Sequence, residues 1–192
     1  MIDARVDEVM DYWFGQGAQD SSYFRARMGF WFMGGEKVDQ EIRERFSGLV
    51  QEAGDGKLGR WADGPGSCLA LVVLLDQFSL NVYRNGILGY RNSEMAVPLA
   101  HKILERRWDE GYSPAEKIFA YMPLEHSESL ADQDLCVARF RRMVADHGGE
   151  LMGVMEGSLE YALRHRKVVE RFGRFPHRNQ VLGRESTPEE IS

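Results

Sequence analysis

Cysteine is scarce in this sequence of 192 residues, which contains only Cys68 and Cys136. A single pair of thiols cannot form the disulfide framework of a small secreted domain, and the spacing excludes Cys-x-x-Cys zinc and redox motifs. Both cysteines have apolar neighbours in the sequence. We therefore expect two buried, reduced thiols.

Long apolar runs are also lacking. The longest, Cys68 to Leu75, has eight residues, whereas a membrane-spanning helix needs about 20. The first residues, Met1 to Arg5, lead into acidic sequence and lack the apolar stretch of a signal peptide. We therefore expect no membrane segment and a cytoplasmic location.

The common motifs of nucleotide and acyl chemistry are absent. The sequence has no Gly-x-x-x-x-Gly-Lys-Ser/Thr loop, no dinucleotide-binding glycine pattern and no Gly-x-Ser-x-Gly, so we expect no cofactor. His126, His165 and His177, with Glu125 or Asp76, offer ligands of the types that transition metals accept. They are far apart in sequence and form no metal-binding motif, so we expect no metal.

What the chain does have is an ordinary globular composition, with 43% hydrophobic and 28% charged residues. Its length suits one domain, residues 1–192, because domains typically have about 100–200 residues. The net charge is −6, which argues against a nucleic-acid partner. Positive charge is nevertheless concentrated near the end: seven basic residues and one acid, Glu170, lie between Arg164 and Arg184.

Helical periodicity dominates the first half of the chain. Apolar residues at spacings of three and four predict a helix after the N-cap residue Asp3, ended by Gly15 and Gly17. The same pattern predicts another from about Glu36 to Ala53. The aromatic stretch between them is compatible with a short helix, and we expect its rings mainly in the core.

The apolar run after Pro65 is compatible with a buried strand or a buried helix, because its periodicity does not separate the two. A first-turn proline favours a helix. No second strand-like run is available to pair with a strand. We therefore predict a central buried helix that ends near Asn81.

Start and stop signals predict the later helices. The first starts at Asn92-Ser93-Glu94 and runs to about Trp108. The second is opened by the capping box Ser113-Pro114-Ala115-Glu116, and we expect Pro123 to keep it short.

Two long helices are predicted next. They run from about Glu128 to His147, closed by Gly148-Gly149, and from about Glu150 to Phe172, closed by Gly173. Thr187-Pro188-Glu189-Glu190 is a further capping box. The predicted fold is therefore all-α, an irregular stack of antiparallel helical hairpins.

Several stretches resemble a bacterial family known as domain of unknown function 924. They are Trp13-Phe14-Gly15, Leu74-Leu75-Asp76-Gln77-Phe78 with Asn81, Tyr83 and Arg84, Tyr121 to Glu128, Ala131-Asp132-Gln133, and Arg171 to Asn179 with Leu182-Gly183-Arg184. The resemblance implies a tetratricopeptide-like superhelix and no assigned activity. Ser79-Leu80 stands where the family usually has Pro-Arg, so one cation is missing there.

The basic stretch supplies the first group of candidate site residues, Arg171, Arg174, His177 and Arg178. Arginine forks bind phosphate or carboxylate groups bidentately, which favours a ligand-binding site for a small anion. The structural alternative is that these cations pair with acids of the other blocks and clamp the tail to the body. The acids available for that are Asp76, Glu125, Glu128 and Asp132.

Glu125 and His126 are the candidate catalytic residues, because a carboxylate near a histidine can hold its tautomer and raise its basicity. Hydrogen bonding at a helix start is the plainer interpretation. Asp76, Asn81 and Arg84 follow the buried run, where polar side chains either cap a helix or line a ligand cavity.

Three kinds of function remain open. A small anionic metabolite would bind where the 76–84, 121–133 and 171–184 blocks converge. A helical adaptor would instead present a groove to a protein or peptide partner, or to a second copy of the chain. RNA binding through the basic stretch is opposed by the net acidity. We favour the metabolite site, because the blocks carry charges of complementary sign.

Overall fold

The structure, a computed structural model, describes residues 3–15, 21–84, 86–146 and 151–191, and over those ranges it is all-α without strands. The ten α-helices of these ranges are α1 (Ala4–Trp13), α2 (Ser21–Met33), α3 (Gly35–Gly54), α4 (Pro65–Val72), α5 (Ser79–Val82), α6 (Ile87–Glu105), α7 (Pro114–His126), α8 (Leu130–Asp146), α9 (Met152–Phe172) and α10 (Pro188–Ile191). The prediction of an all-α fold is confirmed, whereas the tetratricopeptide-like superhelix stays a prediction.

Aromatic residues of α1 to α3 pack into the hydrophobic core. Asp3 caps α1, because its side chain accepts a hydrogen bond from the backbone N–H of Arg5 at 3.1 Å. The α1 helix ends before Gly15, as predicted, while Gly17 lies outside the described residues. The ring of Trp13 packs edge-on against Phe78 and Phe119, with centroids 5.4 and 5.3 Å away. Such edge-to-face contacts add to the apolar burial that holds these helices together.

The central apolar run is a helix, and it is continuous from Pro65 to Val82. Its middle, Val73–Phe78, is a π-helical segment that joins α4 to α5. The wider turn is supported by Ser79, whose hydroxyl donates to the carbonyl of Leu74 at 3.1 Å. Among the described residues, Pro65–Val82 is one stretch apolar enough to cross a membrane, with a mean hydropathy of 1.4, but 61% of it is buried inside the protein.

The predicted start of α6 is wrong. The helix begins at Ile87, so Asn92 and Ser93 lie inside it and are buried. Their side chains do not cap the helix, because they hydrogen-bond across to the central helix. The Asn92 amide donates to the Ser79 hydroxyl at 3.0 Å, and the Ser93 hydroxyl donates to Asp76.

The expectation that Pro123 shortens α7 is also wrong. The capping box at Ser113 and Glu116 is present, but the helix continues through Pro123 to His126. The fully buried amide of Gln133, on α8, donates to the carbonyls of Leu124, Glu125 and Ser127 at 3.3, 2.6 and 2.7 Å. These bonds satisfy carbonyls that the end of a helix leaves without partners.

Helices α8 and α9 pack against each other. The predicted helix ends at His147 and Glu150, and Gly148-Gly149 expected between them, lie outside the described residues. Gly173 ends α9 in the left-handed conformation, with φ +68°, as predicted. The chain then turns back onto the start of α8. The backbone N–H of Phe175 donates to Glu128 at 2.8 Å, and Arg184 forms an ion pair with Glu128 at 2.6 Å.

The two capping boxes provide a test of how much α7 and α10 each contribute to the stability of the protein. Ser113→Ala removes the cap of the largely buried α7, and we expect the free energy of unfolding in urea to fall by about 1 kcal/mol. Thr187→Ala removes the equivalent cap of α10, which has four residues and none buried. Thr187→Ala should therefore lower the free energy of unfolding less than Ser113→Ala does. Equal decreases in the two variants would contradict the view that α10 contributes less than α7.

Candidate functional site

Asp76 and His126 form a hydrogen-bonded pair at the centre of the candidate site. Asp76 lies in the π-helical segment with its side chain fully buried, and His126 lies in the last turn of α7. The Nδ1 atom of His126 is 2.7 Å from Oδ1 of Asp76. The two blocks that carry these residues are therefore in direct contact.

Asp76 is ionised despite its burial. Burial by itself favours the neutral acid, but the charge of His126 and hydrogen bonds from His126, Ser93 and Gln77 hold the pKa of the Asp76 carboxyl below its ordinary value. The Gln77 amide donates to the second oxygen, Oδ2, at 2.5 Å. Three donors from three segments of the chain thus replace the water that this carboxylate has lost.

The pKa of His126 shifts in the opposite direction, upward. Burial disfavours its charged form, but the Asp76 carboxylate raises the pKa of the imidazole above its ordinary value, and Glu125 adds to this effect. The side chain is 16% exposed. Since Nδ1 faces Asp76, the second ring nitrogen, Nε2, is left without a hydrogen-bond partner among the described residues.

Glu125 precedes His126 and is 5% exposed. Burial raises the pKa of its carboxyl to about 7, and the nearby negative charge of Asp76 acts in the same direction. Its Oε1 atom is 3.3 Å from Nδ1 of His165, on α9. Burial lowers the pKa of His165, and the charges of His126 and Arg178 lower it further, so this imidazole is neutral near pH 7.

Arg178 comes from the tail and lies in a short 3-10 helix, Pro176–Arg178. It is 6% exposed, and its guanidinium donates through Nη1 to the carbonyl of His126 at 2.9 Å. Its carbon Cζ lies 4.4 Å from the ring centroid of Phe175 and 5.1 Å from that of Tyr90. Its buried Nε has no hydrogen-bond partner in the described part of the chain, and no described carboxylate forms an ion pair with it.

His177 is an exposed residue that lies beside Phe175. Its ring centroid is 5.7 Å from that of Phe175, which in turn is 5.5 Å from the ring of His165. Partial burial and the charge of Arg178 lower the pKa of His177. We refer to Asp76, Glu125, His126, His165 and Arg178 as the polar cluster.

Asn81 and Arg84 lie in a separate group around Asp39 of α3. The Asn81 amide donates to Asp39 at 2.7 Å, and Arg84 forms an ion pair with the same buried carboxylate at 2.5 Å. Their expected membership of the site is therefore not supported by any contact with the polar cluster. The Asp39 partner is on α3, a helix that belongs to none of the blocks used for the prediction.

Arg171 and Arg174 do not contact the polar cluster either. Arg171 pairs with Glu189 at 3.0 Å and Arg174 with Glu190 at 2.7 Å. The structural alternative, internal pairing, thus applies to these two cations, but with acids of α10 instead of the four expected acids. Of those four, Glu128 alone pairs with a described arginine of the basic stretch, Arg184.

Sequence reasoning missed the roles of Ser93 and Tyr90 and considered His165 only as a metal ligand. The sequence predicts a helix start at Ser93, although its place in a polar segment of an otherwise apolar helix is a usable signal for a buried polar contact. His165 and Tyr90 have no local signal, because each is a single residue on a helix just outside the 171–184 and 76–84 blocks. Within the described ranges, no group of three or more His, Cys, Asp or Glu side chains is arranged to hold a metal ion.

The raised pKa of Glu125 makes stability depend on pH. A group whose pKa rises on folding contributes stability that is complete below its unfolded pKa, near 4.5, and is lost as pH rises through about 7. Glu125→Gln removes this loss, so we expect the free energy of unfolding at pH 8 to rise by about 3 kcal/mol above wild type, and by less than about 1 kcal/mol at pH 5.

Glu128→Gln is the matched control for this measurement in urea. The partly buried Glu128 carboxyl has a lowered pKa, because Arg184 and the Phe175 N–H outweigh the effect of burial. Its contribution is therefore present above the unfolded pKa, and the variant is less stable than wild type at pH 8. A Glu125→Gln protein that is also less stable at pH 8 would show that Glu125 does not resist ionisation.

Comparisons with known proteins agree with this all-α structure. A search of curated proteins found no match. Among solved structures, a protein of unknown function from Agrobacterium tumefaciens is 32% identical, with a TM-score of 0.80 over 98% of this chain and 95% of that chain. The family model described as "Bacterial protein of unknown function (DUF924)" matches residues 9–192. This chain therefore belongs to the DUF924 family of bacterial proteins.

Proposed function

We propose that this protein binds a small anionic metabolite at the polar cluster, with Arg178 as the anion receptor and His126 as the group that accepts a proton. The proposed site contains fewer residues than the sequence predicts. Arg171 and Arg174 are omitted because they pair with α10, and Asn81 and Arg84 because they bind Asp39.

The observation that carries the proposal is the pairing state of Arg178. A guanidinium stays protonated in proteins, and a buried charge without a counter-ion is strongly unfavourable. The other arginines discussed above have a carboxylate partner. Among the described residues, Arg178 contacts one carbonyl and two aromatic rings, and the acids Glu128, Asp76 and Glu94 act on its charge only from beyond ion-pairing distance. A carboxylate or phosphate group of a ligand would supply an ion-pair partner in direct contact with the guanidinium.

The pair of Asp76 and His126 supports a role in proton transfer. When Nδ1–H of a neutral imidazole donates to a buried carboxylate, the free Nε2 is the acceptor and is held in one orientation. This is the arrangement by which an aspartate orients the histidine base of hydrolytic triads. The raised pKa of His126 makes its Nε2 a stronger base than that of an isolated histidine.

Binding of anions tests the role of Arg178. We expect inorganic phosphate, acetate or succinate to raise the melting temperature of the wild type, and Arg178→Met to weaken that binding at least about 30-fold in calorimetry. Arg178→Lys keeps the positive charge but loses the two-pronged guanidinium, so we expect its affinity to lie between those of the wild type and Arg178→Met. Arg171→Ala is the matched control and leaves binding unchanged.

Circular dichroism of each variant separates a lost site from a lost fold. Stabilisation that survives in a folded Arg178→Met protein would place the anion elsewhere and overturn the proposal. If none of the three anions shifts the wild type, the adaptor hypothesis is the better description of this protein.

Titration of His126 tests the proton-accepting role. Asp76→Asn removes the charge that raises the pKa of His126, so we expect that pKa, followed by the ring-proton NMR signals, to fall below the wild-type value. Asp39→Asn removes a buried aspartate from the other group and leaves the His126 titration in place. An unchanged His126 pKa in Asp76→Asn would mean that the two residues are not electrostatically coupled.

A further inference from the structure

A predominantly apolar cavity of about 580 Å³ lies between α2, α7, α8 and α9. This volume falls in the range of about 300–1,000 Å³ that is usual for small-molecule sites. Phe32, Met33 and Tyr161 line the cavity and are 49%, 80% and 60% exposed. Clustered exposure of large apolar side chains marks binding surfaces on soluble proteins. Neither Arg178 nor His126 is among the residues that line it, so the cavity is separate from the anion site proposed above.

Two glycines leave the α9 wall of the cavity without side chains. Gly153 and Gly157 are four residues apart, so they lie on the same face of the helix. A Cβ atom placed on either one would have no heavy atom of another described helix within 4 Å. Neither glycine has a positive φ, so residues with side chains can adopt the same backbone conformation. A larger residue at these positions would therefore reduce the space available to a ligand.

Glu125 supplies the one charged side chain among the described residues that line the cavity. The side chain is 6% exposed, and no described residue donates a hydrogen bond to its carboxyl group. A buried carboxylate is costly without hydrogen-bond donors, and most buried polar side chains have them. The cavity therefore contains an acceptor that the described part of the protein leaves available to a ligand.

The neighbouring His165 does not supply a counter-charge for Glu125. Its Nδ1 atom is 3.3 Å from Oε1 of Glu125, but the same nitrogen is hydrogen-bonded to the backbone carbonyl of Tyr161 at 3.0 Å. Burial and the charges of His126 and Arg178 lower the pKa of His165, so this ring is neutral near pH 7. Burial raises the pKa of Glu125 to about 7, so its carboxyl is mostly ionised at pH 8. At that pH the negative charge has no cation in contact with it among the described residues.

We propose that this cavity binds an apolar primary amine, whose ammonium group pairs with the Glu125 carboxylate and whose hydrocarbon body lies against the apolar walls. An ammonium group offers three N–H donors and a positive charge, which are what the carboxylate lacks. The rings of Phe32, Phe140 and Tyr161 also line the cavity, and the faces of aromatic rings attract organic cations. The amine site is additional to the anion site and does not depend on it.

Three probes test the head group and the body of the ligand: 2-phenylethylamine, 2-phenylethanol and ethylamine. At pH 8 we expect 2-phenylethylamine to bind at least about 10-fold more tightly than 2-phenylethanol, because hydrogen bonds between charged groups contribute more than neutral ones. Ethylamine lacks the ring and should also bind at least about 10-fold more weakly than 2-phenylethylamine, since it buries less apolar surface. Calorimetry measures these affinities, with NMR titration for weak binding.

Two variants separate the contact with the head group from the contact with the body. Glu125→Gln should weaken 2-phenylethylamine at least about 10-fold and change 2-phenylethanol by less than about twofold. Glu156→Gln is the matched control, since Glu156 is an exposed acid of α9 that does not line the cavity. Gly157→Leu should weaken both probes, because its side chain occupies part of the cavity. Gly48→Leu is its control, since Gly48 lies on α3 and also has open space around it.

Circular dichroism shows which of these variants are folded. Equal affinities of 2-phenylethylamine and 2-phenylethanol for the wild type, or an amine affinity unchanged in folded Glu125→Gln, would overturn the pairing with Glu125. An amine affinity unchanged in folded Gly157→Leu would place the ligand outside this cavity. If 2-phenylethylamine does not bind the wild type, the amine site is wrong, whereas the anion site is still decided by phosphate, acetate and succinate.

Discussion

The buried carboxylate of Asp76 is the constraint on which the arrangement of this protein depends. An ionised group in an apolar core is costly unless every oxygen is hydrogen-bonded. Its donors come from the adjacent Gln77, from Ser93 on α6 and from His126 on α7. The central helix, α6 and α7 are therefore held in one register, because a shift of α6 or α7 would remove one of the hydrogen bonds to this charge. The π-helical segment that carries Asp76 fits a pattern, since such irregular turns recur at functional sites.

The tail completes this arrangement by using its cations in two different ways. Arg184 and the Phe175 N–H bind Glu128, while Arg171 and Arg174 bind the acids of α10, so these groups fasten the tail. Arg178 is buried and contacts the carbonyl of His126 and the rings of Tyr90 and Phe175. A predominantly basic stretch thus contains cations that fasten the tail and one buried cation, Arg178, without an ion pair among the described residues. The difference in pairing is the physical basis for assigning ligand binding to Arg178.

Much of the fold was predictable because its signals are local. The cap at Asp3, the box at Ser113 and the C-cap at Gly173 depend on neighbours within a few residues, and the structure has all three. The two errors occurred where a distant side chain changed a local rule. Asn92 and Ser93 lie inside α6 because the central helix satisfies them. The α7 helix continues past Pro123 to an end whose carbonyls are capped by Gln133.

The candidate site likewise depends partly on local sequence signals and partly on contacts between residues that are distant in sequence. Composition, periodicity and local signals such as Pro65 determined the all-α class, the buried central helix and the basic tail, since these depend on the order of residue types along the chain. Tertiary structure alone decided that Asp76 contacts His126, that Arg84 pairs with Asp39, and that Arg178 forms no ion pair with a carboxylate of the described residues. Ion pairing depends on distances of a few ångströms in space, and residues tens of positions apart in sequence carry no record of those distances.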